Sequence, residues 1–240
     1  MKKTILLSSI LAVGAAFAEA PGTDVESANL VGALDVTIST TRAQTLVSVP
    51  FLGYGGGDVA VQDMVKTSNL GEGSKLYVAN GLGGYDTWTL QEGTWTPNKK
   101  VTIGPNGAAI EGVTIDQSEA TVARGGAFWI EPSEGTTVGK IYLLGQGETA
   151  AGLSTVVTGW NLVGNTSGVT KDIASAGYKG EVQGYSDGEK ICVQGEGGVL
   201  ETYTYRAGWR KGRTEVNVVN IAAGQGFWFL SKGTTSIKWN

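Results

Sequence analysis

The 240-residue chain contains no histidine. Without an imidazole, the sequence excludes Ser-His-Asp and Cys-His nucleophiles, zinc sites built on histidine, and acid–base catalysis by histidine. It also lacks a Walker A motif, a complete dinucleotide-binding fingerprint and an EF-hand calcium loop. We therefore expect a non-enzymatic protein that holds no metal and no cofactor.

Cysteine is nearly absent. The single residue, Cys192, leaves no disulfide within the chain, so a hydrophobic core has to stabilise the fold. Cys192 lies in the strand-like run K-I-C-V at residues 190–193. A small buried apolar side chain is the expected role, with a reactive or intermolecular thiol as the alternative.

Positive charge is scarce, with 18 Lys and Arg against 22 Asp and Glu. Nucleic-acid binding depends on cations that neutralise phosphates, and anionic membranes attract basic clusters. An acidic chain without such a cluster is expected to bind neither. Beyond the N-terminus, no apolar run approaches the 20 or so residues needed to cross a bilayer, so no membrane span is expected there.

The N-terminus predicts export. Met1, Lys2 and Lys3 form a positive start, residues 5–17 are apolar, and A-F-A at residues 16–18 fits a cleavage site. We expect a Sec-type signal peptide at residues 1–18. The mature protein would then lie in the periplasm, at the cell surface or in the medium.

Proline is rare (5 residues) and glycine abundant (38 residues). Glycine scattered between β-branched and aromatic runs is typical of turns in an all-β protein. Two local elements follow from the pattern. Residues 75–78 and 85–90 predict a hairpin through 80–84, and residues 59–65 predict a short helix with Asp58 as its N-cap.

Two stretches of the chain match each other. G-Q-G-F-W-F at residues 224–229 corresponds to G-G-A-F-W-I at residues 125–130, and other strand-like runs recur in the same order. After an extended lead-in at 19–32, this predicts one β-rich repeat at 33–146 and a second at 147–240. The first repeat carries an insertion near 101–123, where two further strands are possible.

Each repeat is expected to form a small sandwich or barrel, or the two form one fused pseudo-symmetric unit. A short helix is possible in each repeat. In the second it would fall at residues 169–174, the counterpart of 59–65.

Carboxylates offer one route to catalysis without histidine, because a pair of them can hydrolyse a glycoside. None of the candidates occupies a matched position in both repeats, so solvated surface roles are expected. The G-Y-S-D-G run at residues 184–188 resembles a nucleophile elbow, but a strand follows it and no histidine exists, so a turn is expected. The carboxylate candidates are Glu111, Asp116, Glu119, Glu181, Asp187 and Glu189.

The chain has seven tryptophans. Trp88 alternates with threonines in a half-buried strand pattern, which predicts a core role. Trp129 and Trp228 differ, because alternation points them away from their Phe and Ile neighbours. They are the candidate ligand-binding residues, since a Trp ring offers a flat face and an N–H donor for a sugar or another apolar ligand.

W-N-L-V-G-N at residues 160–165 and G-Q-G-F-W at 224–228 resemble a module of secreted bacterial surface proteins. The resemblance covers the second repeat well, whereas the first repeat departs from it at both motifs. It implies a β-rich exported module without an assigned activity, and no catalytic residue to transfer.

These observations predict an exported structural or binding protein of a bacterial envelope. The alternative is a carbohydrate-binding module that uses exposed tryptophans, and a histidine-free carboxylate hydrolase is a third hypothesis. A glycan or an envelope protein is the expected partner. Self-association is also expected to be possible, because β repeats rich in glycine often leave strand edges that can pair.

Overall fold

The computed structural model describes residues 31–39, 43–53, 56–79, 84–98, 102–103, 109–110, 121–136, 139–147, 152–174, 184–195 and 198–239. This part of the chain consists of antiparallel sheets with one short helix, which confirms the all-β prediction. The expected signal peptide and most of the lead-in lie outside the described residues.

The described strands fall into a first half (residues 31–147) and a second half (residues 152–239). The first half contains β1 (Val31–Thr37), β2 (Thr45–Ser48), β3 (Val59–Ala60), α1 (Val61–Met64), β4 (Lys75–Ala79), β5 (Tyr85–Gln91), β6 (Thr94–Pro97), β7 (Thr102–Ile103), β8 (Ala109–Ile110), β9 (Thr121–Val122), β10 (Ala127–Glu131) and β11 (Lys140–Gln146). The second half contains β12 (Gly152–Val156), β13 (Gly159–Gly164), β14 (Lys171–Asp172), β15 (Lys190–Gln194), β16 (Leu200–Tyr205), β17 (Trp209–Lys211), β18 (Thr214–Glu215), β19 (Asn220–Ile221), β20 (Gly226–Ser231) and β21 (Thr235–Trp239).

The two halves have the same strand order. The first contains a sheet ordered β2-β10-β4-β5-β6, and the second a sheet ordered β13-β20-β15-β16-β17-β18. In each half the first and last strands form a separate ribbon, β1 with β11 and β12 with β21. A short pair completes each half, β3 with β9 and β14 with β19. The tandem repeat stays a prediction, which this matching order supports.

Each half has its own core between the inner face of its sheet and its ribbon. In β5, Trp88 and Leu90 are buried while the residues between and beside them are less so, as the alternation predicted. In β20, Phe227 and Phe229 are fully buried in the same way. Both sheets therefore have one face on a core and one outer face, which is where a ligand could approach.

The predicted hairpin is confirmed. β4 and β5 pair antiparallel, with Val78 opposite Asp86. The two strands expected within 101–123 are also present, because β7 pairs antiparallel with β8. Pro50 lies just past the end of β2, where a residue without an amide hydrogen does not interrupt the ladder.

The predicted helices need correction. Residues 59–60 form β3, and the helix covers only Val61–Met64, with Ala60 at its N-cap and no side-chain cap. Asp58 is therefore not the cap. In the second half, Lys171–Asp172 form β14, so no helix is found in the described part of 169–174. In both places pairing with a distant strand, β9 or β19, overrides the local helical pattern.

The halves meet through backbone at their glycine motifs. The N–H of Ser48 donates to the carbonyl of Gly224 (2.9 Å), and the N–H of Gly164 donates to that of Gly125 (2.8 Å). These bonds are equivalent, since β2 corresponds to β13 and the two acceptors precede matching strands. A Cβ on Gly164 would lie 2.3 Å from the carbonyl oxygen of Gly126, so glycine permits the close approach.

Candidate functional site

The outer face of the second sheet carries an apolar surface. Phe227 and Phe229 point into the core, so Trp228 and Leu230 point outward. Strand pairing then places the outward side chains of neighbouring β13 and β15 beside them. We call this surface the aromatic face and define it by Trp160, Leu162, Cys192, Trp228 and Leu230.

Two tryptophans form the centre of the aromatic face. The rings of Trp160 and Trp228 lie 6.4 Å apart at 90°, in an edge-to-face contact. Trp160 is 50% exposed, the largest exposure among the tryptophans, and Trp228 is half-buried. Sequence reasoning identified Trp228 but missed Trp160, because only the register of β13 against β20 brings the two together.

Trp129 has a different setting. It lies on the outer face of the first sheet, opposite Leu46 and Tyr77, and is half-buried. Polar groups lie nearby, since Glu131 accepts hydrogen bonds from the Tyr77 hydroxyl (2.7 Å) and the Gln44 amide (3.1 Å). Burial, followed by the hydrogen bond to Glu131, raises the pKa of Tyr77 to about 12. The structure therefore separates the two predicted residues: Trp129 lies beside Tyr77 on the first sheet, and Trp228 lies beside Trp160 on the second.

Four tryptophans belong to the cores, as predicted for Trp88. The indole N–H of Trp95 donates to the carbonyl of Val65 (3.2 Å), and that of Trp239 donates to the Ser154 hydroxyl (2.8 Å). Such side chains are not available to a ligand. The four are Trp88, Trp95, Trp209 and Trp239.

Cys192 is not the buried core residue that the sequence predicted. It is half-buried on the aromatic face, directly opposite Trp228, with its sulfur 3.3 Å from the Thr202 hydroxyl oxygen. The alternation of β15 explains this, since Ile191 and Val193 take the inward positions. Cys192 is a free thiol.

The carboxylates of the second half have structural partners. Glu189 is fully buried and accepts hydrogen bonds from the backbone N–H groups of Ser186 (2.9 Å) and Lys232 (3.0 Å). The prediction of a solvated surface role is therefore wrong for Glu189. Asp187 is exposed and accepts from the N–H of Ala207 (2.8 Å), which has a left-handed backbone.

The first half repeats this arrangement with different side chains. Glu72 accepts from the N–H groups of Glu92 (2.8 Å) and Gly93 (2.9 Å), as Asp187 does from its hairpin turn. The hydroxyl of Ser74 accepts from the N–H of Ser133 (2.9 Å), as Glu189 does from Lys232. The hydroxyl of Ser74 and the carboxylate of Glu189 thus accept equivalent backbone hydrogen bonds at matched positions. The role of this position is therefore to fix the backbone.

The other carboxylate candidates, Glu111, Asp116, Glu119 and Glu181, lie outside the described residues.

The G-Y-S-D-G run is a turn that enters β15, as predicted. Its Tyr185 is buried and its hydroxyl donates to the carbonyl of Ile173, so the run is anchored to the core. Ser186 is exposed, with no helix after it. The geometry is unlike that of a nucleophile elbow, which joins a strand to a helix.

The polar residues of W-N-L-V-G-N hold loops together. The Asn161 side chain exchanges hydrogen bonds with both backbone groups of Val157 (2.9 and 2.7 Å). Asn165 is fully buried, and its amide donates to the carbonyls of Val169, Ile221 and Ala222 (3.0 Å each). The W-N-L-V-G-N motif therefore shapes the fold around β13.

A cleft of about 440 Å³ lies between the halves, next to β1, β2 and the end of β15. Gln194 and Gln225 line it, and both are bonded to protein. The Gln194 side chain accepts from the N–H of Leu46 (3.0 Å), and Gln225 bridges the carbonyl of Gln194 (2.8 Å) and the N–H of Ala222 (2.9 Å). The Gln194 amide therefore joins the two halves, the Gln225 amide holds two segments of the second half together, and neither is free to bind a ligand.

No family model, no curated protein and no solved structure matches the chain. Within the described ranges, no group of three or more Cys, Asp or Glu side chains is positioned to hold a metal ion. None of the helices in that part of the chain has the length and apolar character of a membrane span.

Proposed function

We propose that the protein is an exported, non-enzymatic component of a bacterial envelope that binds its partner through the aromatic face. The observation that carries this proposal is the pair of Trp160 and Trp228 on an outer sheet face. An exposed tryptophan beside other apolar side chains is typical of binding surfaces. The resemblance to secreted bacterial surface modules and the predicted signal peptide support the location.

A non-enzymatic role fits the state of the polar groups. Histidine is absent, and Asp187 and Glu189 serve as acceptors for backbone amides. A hydrolase would depend on the remaining carboxylates, such as Glu111 and Glu119. Its test is a scan of Asp and Glu to Asn and Gln on any hydrolysis detected, and unchanged rates would eliminate it.

The geometry favours a protein partner over a glycan. Two rings at 90° cannot form a coplanar platform for successive sugar rings, whereas they can grip an apolar side chain. The carbohydrate-binding module remains the second candidate, because Trp160 alone exposes enough surface to stack one sugar ring.

Binding of the purified protein to isolated envelope fractions tests the proposal. Trp160→Ala is expected to weaken binding at least about tenfold, since tryptophan anchors dominate interfaces. Val218→Ala, a change at another exposed apolar residue of the second half, is the matched control. Equal binding by both variants would contradict the proposal, provided that circular dichroism shows both folded.

Titration of tryptophan fluorescence with soluble glycans separates the candidates. A saturable change with one glycan class, lost in a Trp129→Ala and Trp228→Ala double variant that still folds, would establish carbohydrate binding. No change with any glycan, together with binding to envelope protein, supports the protein partner. Cell fractionation tests the predicted export.

A further inference from the structure

The two large sheets end in four edge strands, β2 and β6 in the first half and β13 and β18 in the second. An edge strand presents unpaired N–H and C=O groups that can join another strand, so stable proteins cover their edges or add charge or proline to them. The four edges differ in this respect.

Three edges are protected. Along β2, the Gln194 side chain accepts from the N–H of Leu46 and donates to the carbonyl of Gln44, and Gly224 accepts from Ser48. β6 contains Pro97, which has no N–H to offer. β18 is two residues long and carries Glu215, which forms an ion pair with Arg210 (3.3 Å).

β13 is open. The N–H of Gly164 points away from β20 and donates to Gly125, so the backbone groups of Trp160 and Leu162 share that outward direction. Within the described residues, nothing bonds to these outward groups. Ala79 ends β4 in the first half, as Gln194 ends β15 in the second. Gln194 caps the β2 edge with its side-chain amide, but alanine has no amide with which to cap the β13 edge in the same way.

We propose that β13 is the interface of a symmetric dimer, in which the β13 edges of two copies pair antiparallel. Trp160 of one copy would lie opposite Leu162 of the other, and a two-fold axis would pass beside Asn161. Each such pair exchanges two backbone hydrogen bonds. The two sheets would then be continuous, with both aromatic faces on the same side.

A second copy suits this edge for two reasons. Residues 157–164 carry no charge, so two identical edges meet without like-charge repulsion in an otherwise acidic chain. The outward edge of β13 already forms a backbone hydrogen bond, because the N–H of its last residue, Gly164, donates to Gly125 of the first half. In the dimer, the next two outward residues of the strand, Leu162 and Trp160, would form backbone hydrogen bonds as well.

The dimer is expected to be transient. Only Trp160 and Leu162 offer outward backbone groups to a partner, and such a short contact buries less than the roughly 1,200 Å² of a stable interface. We therefore expect monomer in dilute solution and dimer at high concentration, with a dissociation constant of about 10 µM to 1 mM.

Sedimentation equilibrium over this concentration range tests the proposal on the full mature protein. Trp160→Lys adds a charge at an exposed position of the edge and is expected to weaken the dimer at least about tenfold. Val199 lies in the loop between β15 and β16 and is 68% exposed. Val199→Lys adds the same charge there and is expected to leave the dimer unchanged. Leu162→Pro removes one outward N–H while leaving the bonds to β20 in place.

Hydrogen exchange reports the edge directly. The Leu162 amide is expected to exchange more slowly as protein concentration rises, whereas the already bonded Gly164 amide stays unchanged. A monomer throughout the range would overturn the proposal, and so would a dimer that survives Trp160→Lys in a folded protein. The proposed partner binding is independent of this result, because envelope binding is measured on dilute monomer.

Discussion

The side chain of Gln194 accepts a hydrogen bond from the backbone N–H of Leu46, 148 residues earlier in the chain. It occupies the edge of β2 as a short strand would, and so joins the second half to the first. Gln194→Ala is expected to destabilise the protein by about 1–2 kcal/mol, the value of a partly buried hydrogen bond and its unsatisfied donor.

Urea unfolding measures this change. The matched control is Gln62→Ala, a glutamine in the helix of the first half rather than at the junction. The variant Gln194→Ala is also expected to increase hydrogen exchange at the Leu46 amide, which the control leaves protected. Unchanged exchange at Leu46 would mean that the side chain does not cap this edge.

Gly164 is expected to tolerate no side chain. An added Cβ would lie 2.5 Å from the Cβ of Ser48, across the junction of the halves. Gly164→Ala is therefore expected to cost about 1–3 kcal/mol, as overpacking does. Gly168→Ala, where nothing lies within 4 Å, is the control and is expected to be nearly neutral. Similar thermal stability of the two variants would argue against close packing at the junction.

Glu189 is expected to matter for stability. Glu189→Ala removes a buried acceptor and leaves the partly buried N–H groups of Ser186 and Lys232 without a partner, at about 1–3 kcal/mol for each hydrogen bond. Asp187→Ala removes one exposed bond and is expected to cost about 1 kcal/mol or less. If chemical denaturation ranks the two variants in the opposite order, the structural role of Glu189 is wrong.

Tyr77 and Tyr203 are expected to ionise late. Burial, and then hydrogen bonds to Glu131 and Glu201, raise the pKa of Tyr77 and Tyr203 to about 12, from 10.0. Because each pKa is higher in the folded state than in the unfolded state, the protonated tyrosines contribute to the free energy of unfolding. This contribution is complete below about pH 10 and is lost as pH rises toward 12.

Phenolate absorbance in a pH titration checks this. Tyr77→Phe and Tyr203→Phe are each expected to remove one late-ionising tyrosine from the titration. A wild-type titration in a single step near pH 10 would contradict the prediction.

Alternation along strands made much of the fold predictable. The pattern around Trp88 predicted both the strand and its buried face, and the glycine-rich turn predicted the hairpin of β4 and β5. It also predicted that Trp129 and Trp228 point away from the core. These features depend on neighbouring residues in the chain, so local sequence contains them.

Features set by distant contacts were not predictable. Trp160 contacts Trp228, 68 residues later in the chain, because of the register between β13 and β20. Glu189 lies buried where it accepts a hydrogen bond from Lys232, 43 residues later. The short helix was misplaced for the same reason, since pairing of β3 with β9 takes its first residues.

The ribbons determine how the chain would respond to tension. Val31 lies opposite Gln146, and Gly152 lies opposite Trp239, so each half has its entry and exit side by side. A pull on the two ends would open each ribbon from that end, one pair of hydrogen bonds after another, instead of loading all of them at once. A molecule held at both ends would therefore lengthen at low force, because the strands of each ribbon would separate one residue pair at a time, first in one half and then in the other.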